Sequence, residues 1–262
     1  MAKGNKMKKN TCIVIPTHNN QEKIGGVLKQ ALEISNSVIV VDSSTDSTAQ
    51  EIKKFPQAIL IREKPGKGRQ LRKGIKKALE LECDLIALMD GDGERKAEDF
   101  EVLAGVLEAE NSDLCIGYRN KMRSLKRSAL NAFSKHWINF AAGCSLKDPQ
   151  SGFCFGKKEA FKKMKLESQN FEIETEIVLE AFRNDLKVSQ APISVPEFSP
   201  SKCTKKSMIE INAFFDSWVL EHLNELRVGK TKKALLFIAC GLGLLAGKPR
   251  QGRKTAITPK GH

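Results

Sequence analysis

Tyrosine is almost missing from this chain: Tyr118 is its single copy, beside only two Trp. Stacking platforms for single-stranded nucleic acid need exposed aromatics along a basic groove, so this scarcity argues against a broad nucleic-acid-binding face. Paired cysteine spacing is missing as well. Cys12, Cys83, Cys115, Cys144, Cys154, Cys203 and Cys240 stand apart in apolar contexts without CxxC, which speaks for buried free thiols in a reducing compartment rather than zinc or disulfides. Histidine is sparse: the four His form neither an HExxH spacing nor an evident triad, and His136 and His222 read as helix-surface or packing residues. Long apolar runs are also lacking. Ala234 to Gly247 is almost wholly apolar, but as a helix it spans about 21 Å, short of a hydrocarbon core of roughly 30 Å. An interfacial or re-entrant anchor fits it better, with Lys230-Thr231-Lys232-Lys233 and Lys248-Pro249-Arg250 meeting anionic headgroups. The alternative is a C-terminal helix packing on the body or on a second subunit. The apolar stretch from Thr11 to Pro16 is too short for a signal peptide, so the body is expected in the cytosol.

Acidic residues are missing from both ends. Residues 1–10 carry four Lys and residues 248–262 two Arg and three Lys, so these segments supply nine of the net thirteen positive charges and leave a mildly basic body. Excess positive charge points to an anionic partner. A chain of 262 residues can bury one good core. The favoured division is a basic arm over 1–10, a domain over 11–199, amphipathic and apolar helices over 200–247, and a basic tail over 248–262. The boundary falls near Ser199-Pro200-Ser201-Lys202.

What is present alternates. Residues 11–16, 37–42, 57–61, 84–89 and 113–117 read as short apolar strands, while 21–34, 46–54, 68–82 and 97–110 show helical spacing with charged outer faces. That alternation predicts a mostly parallel α/β sheet with helices on both sides. Further on, helices are expected over 124–142 and 172–184, with strands over 152–156 and 188–195. Met208, Ile211, Phe215, Trp218, Val219 and Leu226 form an apolar stripe at helical spacing.

Polar turns close three of the strands, and in a parallel sheet all three lie on one edge: Pro16 to Asn20, Asp42 to Asp46 and Asp90 to Glu94. The last is the most informative. The apolar run Leu85 to Met89 ends in Asp90-Gly91-Asp92-Gly93, two carboxylates that give hard oxygen ligands suited to Mg²⁺ or Mn²⁺. Gly91 and Gly93 let the backbone bend and leave room for a phosphate. A plain Gly-Asp turn before a helix beginning at Ala97 is the alternative.

Taken together, these motifs make the chain resemble family 2 glycosyltransferases of the GT-A fold from about Thr11 to Phe198. Val14 to Asn19 looks like their opening nucleotide-binding turn, with Pro16, Thr17 and Asn19 as contacts. Val40 to Thr48 is similar to the second-strand acidic motif, and Lys64-Pro65-Gly66-Lys67-Gly68 to the Gly-Lys-Gly loop. Asp90-Gly91-Asp92 resembles the DxD metal motif, and Asp148 to Phe153 the acceptor-side motif. The resemblance implies an inverting, metal-dependent transfer from a nucleotide sugar. Asp42 can then accept hydrogen bonds from a base or ribose hydroxyl, with Asp46 as the helix-capping turn residue. Lys67, between two glycines ahead of a helix, can approach the diphosphate, helped by the helix N-terminus; the alternative is a flexible surface loop. The acidic motif is one residue shorter than Asp-Asp-Gly-Ser, and His18 and Asn20 stand where Tyr and Glu are common, so GDP and UDP donors both stay open.

In its second half the chain is similar to dolichyl-phosphate mannose synthase and other polyprenyl-phosphate glycosyltransferases: Gly117-Tyr118-Arg119, the basic run Arg123, Lys126 and Arg127, the Asp148 to Phe153 segment, and Ser201-Lys202. Arg119 and Arg127 offer planar forks for a phosphate, although Arg123 to Arg127 also suits a solvated helix face. Gln150 can bond a phosphate or cap a turn. A phosphate acceptor is ionised near neutral pH and needs no strong base, whereas a hydroxyl acceptor does. Phe171 to Glu176 holds three glutamates, with Glu172 and Glu176 on one helix face and Glu174 roughly opposite; helix N-terminal charge is the alternative. Asp92, Arg119, Gln150 and Glu174 are therefore the catalytic candidates, Asp90 and Asp92 the metal ligands, and Pro16, Thr17, Asn19, Asp42, Lys67, Asp90 and Arg127 the binding residues.

The resulting expectation is transfer of a hexose to a polyprenyl phosphate by a peripheral or monotopic protein at the cytoplasmic membrane face, with homo-oligomerisation left open. Two alternatives stand beside it. One is a soluble enzyme of the same fold acting on a small hydroxyl acceptor such as a glycerate; the other is an inactive nucleotide-sugar-binding scaffold.

Overall fold

Strand β1 (Thr11–Thr17) is buried at every residue, and β2 (Ser37–Asp42) at all but its first, as expected of strands covered on both faces. The computed structural model describes residues 11–94, 96–119, 135–194, 204–226 and 228–241. Around β1 and β2 the chain alternates as its periodicity predicts: α1 (Ile24–Ile34), α2 (Thr48–Lys53), β3 (Ala58–Arg62), α3 (Lys67–Glu80), β4 (Leu85–Leu88), α4 (Asp99–Ala109) and β5 (Leu114–Arg119). Then come β6 (Cys154–Lys157), α5 (Lys158–Lys163), α6 (Ile173–Arg183), β7 (Val188–Ile193), α7 (Lys205–His222) and α8 (Lys230–Gly241).

The strands form one seven-stranded sheet in the order β3-β2-β1-β4-β6-β5-β7. β1 pairs in parallel with β2 and β4, β2 with β3, and β5 with β7. β6 is reversed, with Leu88 opposite Cys154 on one side and Ile116 opposite Cys154 on the other. The architecture is the mostly parallel α/β sheet expected of a GT-A fold. Because side chains alternate across the pleat, Ile13, Ile15, Val38 and Val40 pack under α1 and α4 with Leu28, Phe100 and Leu103. Val14, Ile39 and Val41 face α3 and α6 on the opposite side, with Leu71, Ile75, Ile173 and Ile177.

Several boundaries differ from expectation. β6 begins at Cys154 rather than Gly152, because the residues before it turn into the site. α4 begins at Asp99 rather than Ala97. α5 was not foreseen: at six residues it is too short for periodicity to declare. Of the helix expected over 124–142, residues 135–142 are helical and the rest lies outside the described residues, as do residues 1–10, Ser201, Lys202, Cys203 and the segment from 242 onward. The stripe expected near 208–226 is the inward face of α7, where Ile211, Phe215, Trp218 and Val219 are buried. Thr204 caps this helix with a reciprocal bond to Ser207. α8 turns Leu236, Ala239 and Cys240 inward and leaves Leu235 (50%), Phe237 (58%) and Ile238 (53%) exposed. No helix among the described residues is long and apolar enough to cross a membrane. Cys12, Cys83, Cys115, Cys144, Cys154 and Cys240 are free thiols.

Candidate active site

The carboxyl ends of β1, β2, β4 and β5 share one edge of the sheet, and the expected site residues collect there. Beyond β1 the backbone of Asn19 takes a left-handed turn, with φ of 51°, which an asparagine tolerates. Its N–H donates to Ser44 Oγ at 2.7 Å and its side-chain oxygen accepts from Thr45 N–H at 2.9 Å. His18 Nδ1 lies 3.0 Å from the Ser43 carbonyl oxygen. The first two polar turns are therefore stitched together. Beneath them the Gln70 amide donates to the carbonyls of Thr17 and Val41, both at 2.7 Å.

Asp42 is fully buried. One oxygen accepts from Ser44 N–H at 2.9 Å; the other pairs with the Arg62 guanidinium, which also reaches the Ser44 carbonyl at 2.6 Å. A ribose hydroxyl arriving here would share these oxygens with Arg62. Asp46 accepts from Thr48 N–H at 3.0 Å and from its hydroxyl, and the hydroxyl bond holds its carboxyl below the usual range, as its turn-closing role predicts.

The turn after β4 stays fastened to β1, since Met89 N–H donates to Val14 at 3.0 Å and Gly91 N–H to Pro16 at 3.2 Å. A Cβ on Gly91 would come within 2.9 Å of the Thr17 side chain. The room made by this glycine is filled by Thr17, not kept for a phosphate as the sequence suggested. Gly66 and Gly68 are likewise tight, because a Cβ on Gly66 would strike the Gln169 carbonyl oxygen and one on Gly68 the backbone of Ser168 and Gln169. These glycines dock the loop before α6 against the start of α3. Asp92 Oδ1 accepts from Glu94 N–H at 3.1 Å.

Lys67, the first residue of α3, is the centre of the site. Its Nζ lies 2.6 Å from Asp90 Oδ1 and 2.5 Å from Glu174 Oε1. The side chains of the three residues are 12%, 25% and 15% exposed respectively, and the Phe171 ring centroid stands 5.9 Å from the ammonium. Burial works against the lysine charge, but the two carboxylates prevail and hold its pKa above the ordinary value. Burial pushes the Glu174 carboxyl up, Lys67 pulls it back and Asp90 adds to the rise. Lys67 is thus part of a fixed ion cluster and not a loose surface loop. Gly152, with φ of +70°, closes it: a Cβ there would strike Glu174 Oε1 and lie 3.0 Å from Lys67 Nζ.

The three glutamates separate by partner. Glu172 accepts from the N–H groups of Gln169 and Asn170 at 3.1 and 3.0 Å, and Glu176 from those of Glu167 and Ser168 at 2.8 and 3.0 Å. Both hold the preceding loop. Glu174 alone of the three joins Lys67 and Asp90.

On the far side, Arg119 Nε and Nη2 bond Asp148 Oδ2 and Oδ1 at 2.6 and 3.0 Å. One edge of its guanidinium fork is therefore taken by Asp148. Burial opposes its charge, while Asp148 and then Glu174 and Glu94 raise its pKa. Gln150 Nε2 donates to Thr175 Oγ1 at 3.0 Å, and Lys147 Nζ sits 4.2 Å over the Tyr118 ring. Arg127 lies outside the described residues. Sequence reasoning missed the Asp148 to Arg119 fork, Gln70 and Arg62; the acceptor-side motif contained Asp148 but gave no sign of its partner.

Among the described residues no three His, Cys, Asp or Glu side chains gather as a ready metal cage. The donor set still fits Mg²⁺ or Mn²⁺, which keep waters and borrow phosphate oxygens beside one or two carboxylates. In this structure the positive charge beside Asp90 is the Lys67 ammonium.

The sequence model of glycosyl transferase family 2 matches residues 12–167. A dolichyl-phosphate beta-glucosyltransferase of Trichomonas vaginalis is 27% identical over 76% of this chain and 69% of its own length. An uncharacterized protein of Methanocaldococcus jannaschii is 31% identical over 73% of this chain and 84% of its own. In fold, the chain is similar to Mycobacterium tuberculosis glucosyl-3-phosphoglycerate synthase in complex with Mn²⁺, UDP and glucosyl-3-phosphoglycerate, with a TM-score of 0.63, 15% identity, and coverage of 85% of this chain and 82% of that one.

Proposed function

The chain belongs to glycosyl transferase family 2 and is a glycosyltransferase, and from that premise we propose that it moves a hexose, with inversion, from a GDP- or UDP-sugar to a polyprenyl phosphate at the cytoplasmic face of a membrane. The observation that carries this reading is the meeting of Lys67, Asp90 and Glu174 with the Arg119 to Asp148 pair at one sheet edge. Cationic groups are held there beside a carboxylate turn, as two phosphate-bearing substrates require. The dolichyl-phosphate acceptor of the Trichomonas relative supports the lipid half. So does α8, whose exposed Leu235, Phe237 and Ile238 follow Lys230, Lys232 and Lys233, a combination suited to an anionic interface. In this reading residues 11–199 form the catalytic domain, residues 200–247 seat it on the membrane, and the basic segments 1–10 and 248–262 add attraction.

Asp90 and Asp92 would hold Mg²⁺ or Mn²⁺, which supplies Lewis-acid neutralisation of the departing diphosphate. Pro16, Thr17 and Asn19 shape the nucleotide pocket beside Asp42. Lys67 and the N-terminus of α3 bring positive charge to the diphosphate. Arg119, fixed by Asp148, orients the acceptor phosphate together with Gln150 and Arg127. The phosphate oxygen attacks the anomeric carbon as the bond to the diphosphate breaks, and no base is required because the acceptor is already ionised.

Glu174 favours a second reading. Its carboxyl, raised by burial, is the group a hydroxyl acceptor would use as base, and the mycobacterial structure is of a glucosyl-3-phosphoglycerate synthase. The experiment offers labelled GDP- and UDP-sugars with Mn²⁺ or Mg²⁺ to the purified chain, with polyprenyl phosphate in detergent or water-soluble acceptors. Label entering the organic phase is expected. Label entering only a soluble acceptor, with activity kept after removal of residues 230–262, establishes the second reading; nucleotide binding without turnover on any acceptor establishes a scaffold. Asp92→Ala is expected to lower transfer by about a hundredfold or more, the scale of losing one charge-stabilising group. Full activity in that variant overturns the site.

A further inference from the structure

Lys67 occupies one oxygen of Asp90, a carboxylate also assigned to a divalent ion. The ammonium stands 2.6 Å from Asp90 Oδ1 and is gripped from behind by Glu174 Oε1 at 2.5 Å. A magnesium ion needs its ligands at about 2.0 to 2.1 Å, so an ion bound at that oxygen would sit against the lysine charge. Lys67 is not casually placed. The Phe171 ring backs it, and Gly152 lacks the Cβ that would intrude on both it and Glu174.

We propose that Lys67 is an exchangeable internal cation that makes divalent-ion binding at Asp90 conditional on a nucleoside diphosphate. This rests on the assignment of Asp90 and Asp92 as metal ligands. With no anion at the head of α3, displacing the ammonium from Asp90 leaves a cation short of a partner in a largely buried place. A diphosphate arriving at that helix N-terminus offers the ammonium new oxygens within reach of its four-carbon stem. Asp90 is then released to the metal, which binds the same diphosphate. Glu174 keeps the lysine tethered during the exchange and gives it a partner when product leaves. The free protein is therefore protected against metal, and metal and nucleotide enter as a coupled pair, each tightening the other by the same factor.

The test titrates Mn²⁺ into the full chain and follows the unbound ion by electron paramagnetic resonance, with no nucleotide, with UDP and with GDP. Wild type is expected to bind Mn²⁺ weakly alone and at least roughly tenfold more tightly with a diphosphate. Lys67→Met and Lys67→Gln, each checked for native circular dichroism, are expected to bind Mn²⁺ alone about tenfold more tightly than wild type and to gain correspondingly less from the diphosphate. A nucleotide-free affinity equal to that of wild type overturns the proposal. Asp90→Asn separates the two levels. If it leaves Mn²⁺ binding with nucleotide intact, the metal assignment itself fails; if it abolishes that binding while the Lys67 variants match wild type, only the lysine exchange fails. A measurement on the unmodified protein guards against variants that do not fold. Acylation of Lys67, read by peptide mass spectrometry, is expected to be unchanged by Mn²⁺ alone and altered by Mn²⁺ with diphosphate. Equal change in the two conditions overturns the exchange.

Discussion

Gly152 shows how closely the ion cluster is built. Its backbone is left-handed, and any side chain would enter the space between Glu174 Oε1 and Lys67 Nζ. Gly152→Ala therefore combines backbone strain with displacement of a buried charge pair. It is expected to cost on the order of 1 to 3 kcal/mol, as a held unfavourable conformation does, and to lower transfer by much more than that loss of stability explains. Urea denaturation beside an activity assay checks both. How far such residues can be read from sequence depends on where their partners lie. Asp90 was legible because an apolar strand stopped abruptly in front of it. Glu174 is the named candidate of the three, but nothing local in the sequence separates it from Glu172 and Glu176, because the lysine that selects among them is 107 positions away in the chain. The space beside Gly91 was misread for the same reason: the Thr17 atoms that fill it belong to a distant segment.

At the level of elements, α6 and α8 carry the testable consequences. Glu176, at the start of α6, is buried, and burial raises its carboxyl above the ordinary value despite the N–H groups of Glu167 and Ser168. A raised folded-state pKa means that the native state holds the proton more tightly than the unfolded chain. Stability from this group is present below the ordinary carboxylate pKa and is lost as pH rises through the folded value. Wild type should thus exceed Glu176→Gln in stability most at low pH, and the gap should narrow as pH rises above about 4.5; urea midpoints from pH 4 to 8 measure it. α8 offers a cleaner surface experiment. Replacing Leu235, Phe237 and Ile238 together by Glu changes exposed positions, so thermal stability should hold while binding to anionic vesicles falls at least about tenfold. Retained binding in a flotation assay assigns the attraction to the basic ends instead. The long periodic helices were legible in outline, whereas α5 was not, because six residues make fewer than two turns.

Over the whole molecule, charge and topology divide the labour. Nine of the thirteen net charges lie in the terminal segments, so adhesion to an anionic surface should weaken steeply with salt while nucleotide binding at the partly buried cluster changes less. Vesicle sedimentation and nucleotide titration at 50 and 500 mM salt, a choice of roughly threefold change in Debye length, compare the two. The sequence alternation was sufficient to anticipate a mostly parallel sheet, but not the reversal of β6, which is decided by pairing with β4 and β5 and not by any local pattern. That reversal has a further effect. Since β5 runs out toward the site edge and β6 runs back from it, Arg119 at the end of one strand and Gly152 just ahead of the other are delivered to the same edge. A slip in register between these two strands would therefore move the Arg119 fork and the glycine beside Glu174 and Lys67 together, so that one alignment sets the geometry of both ion pairs.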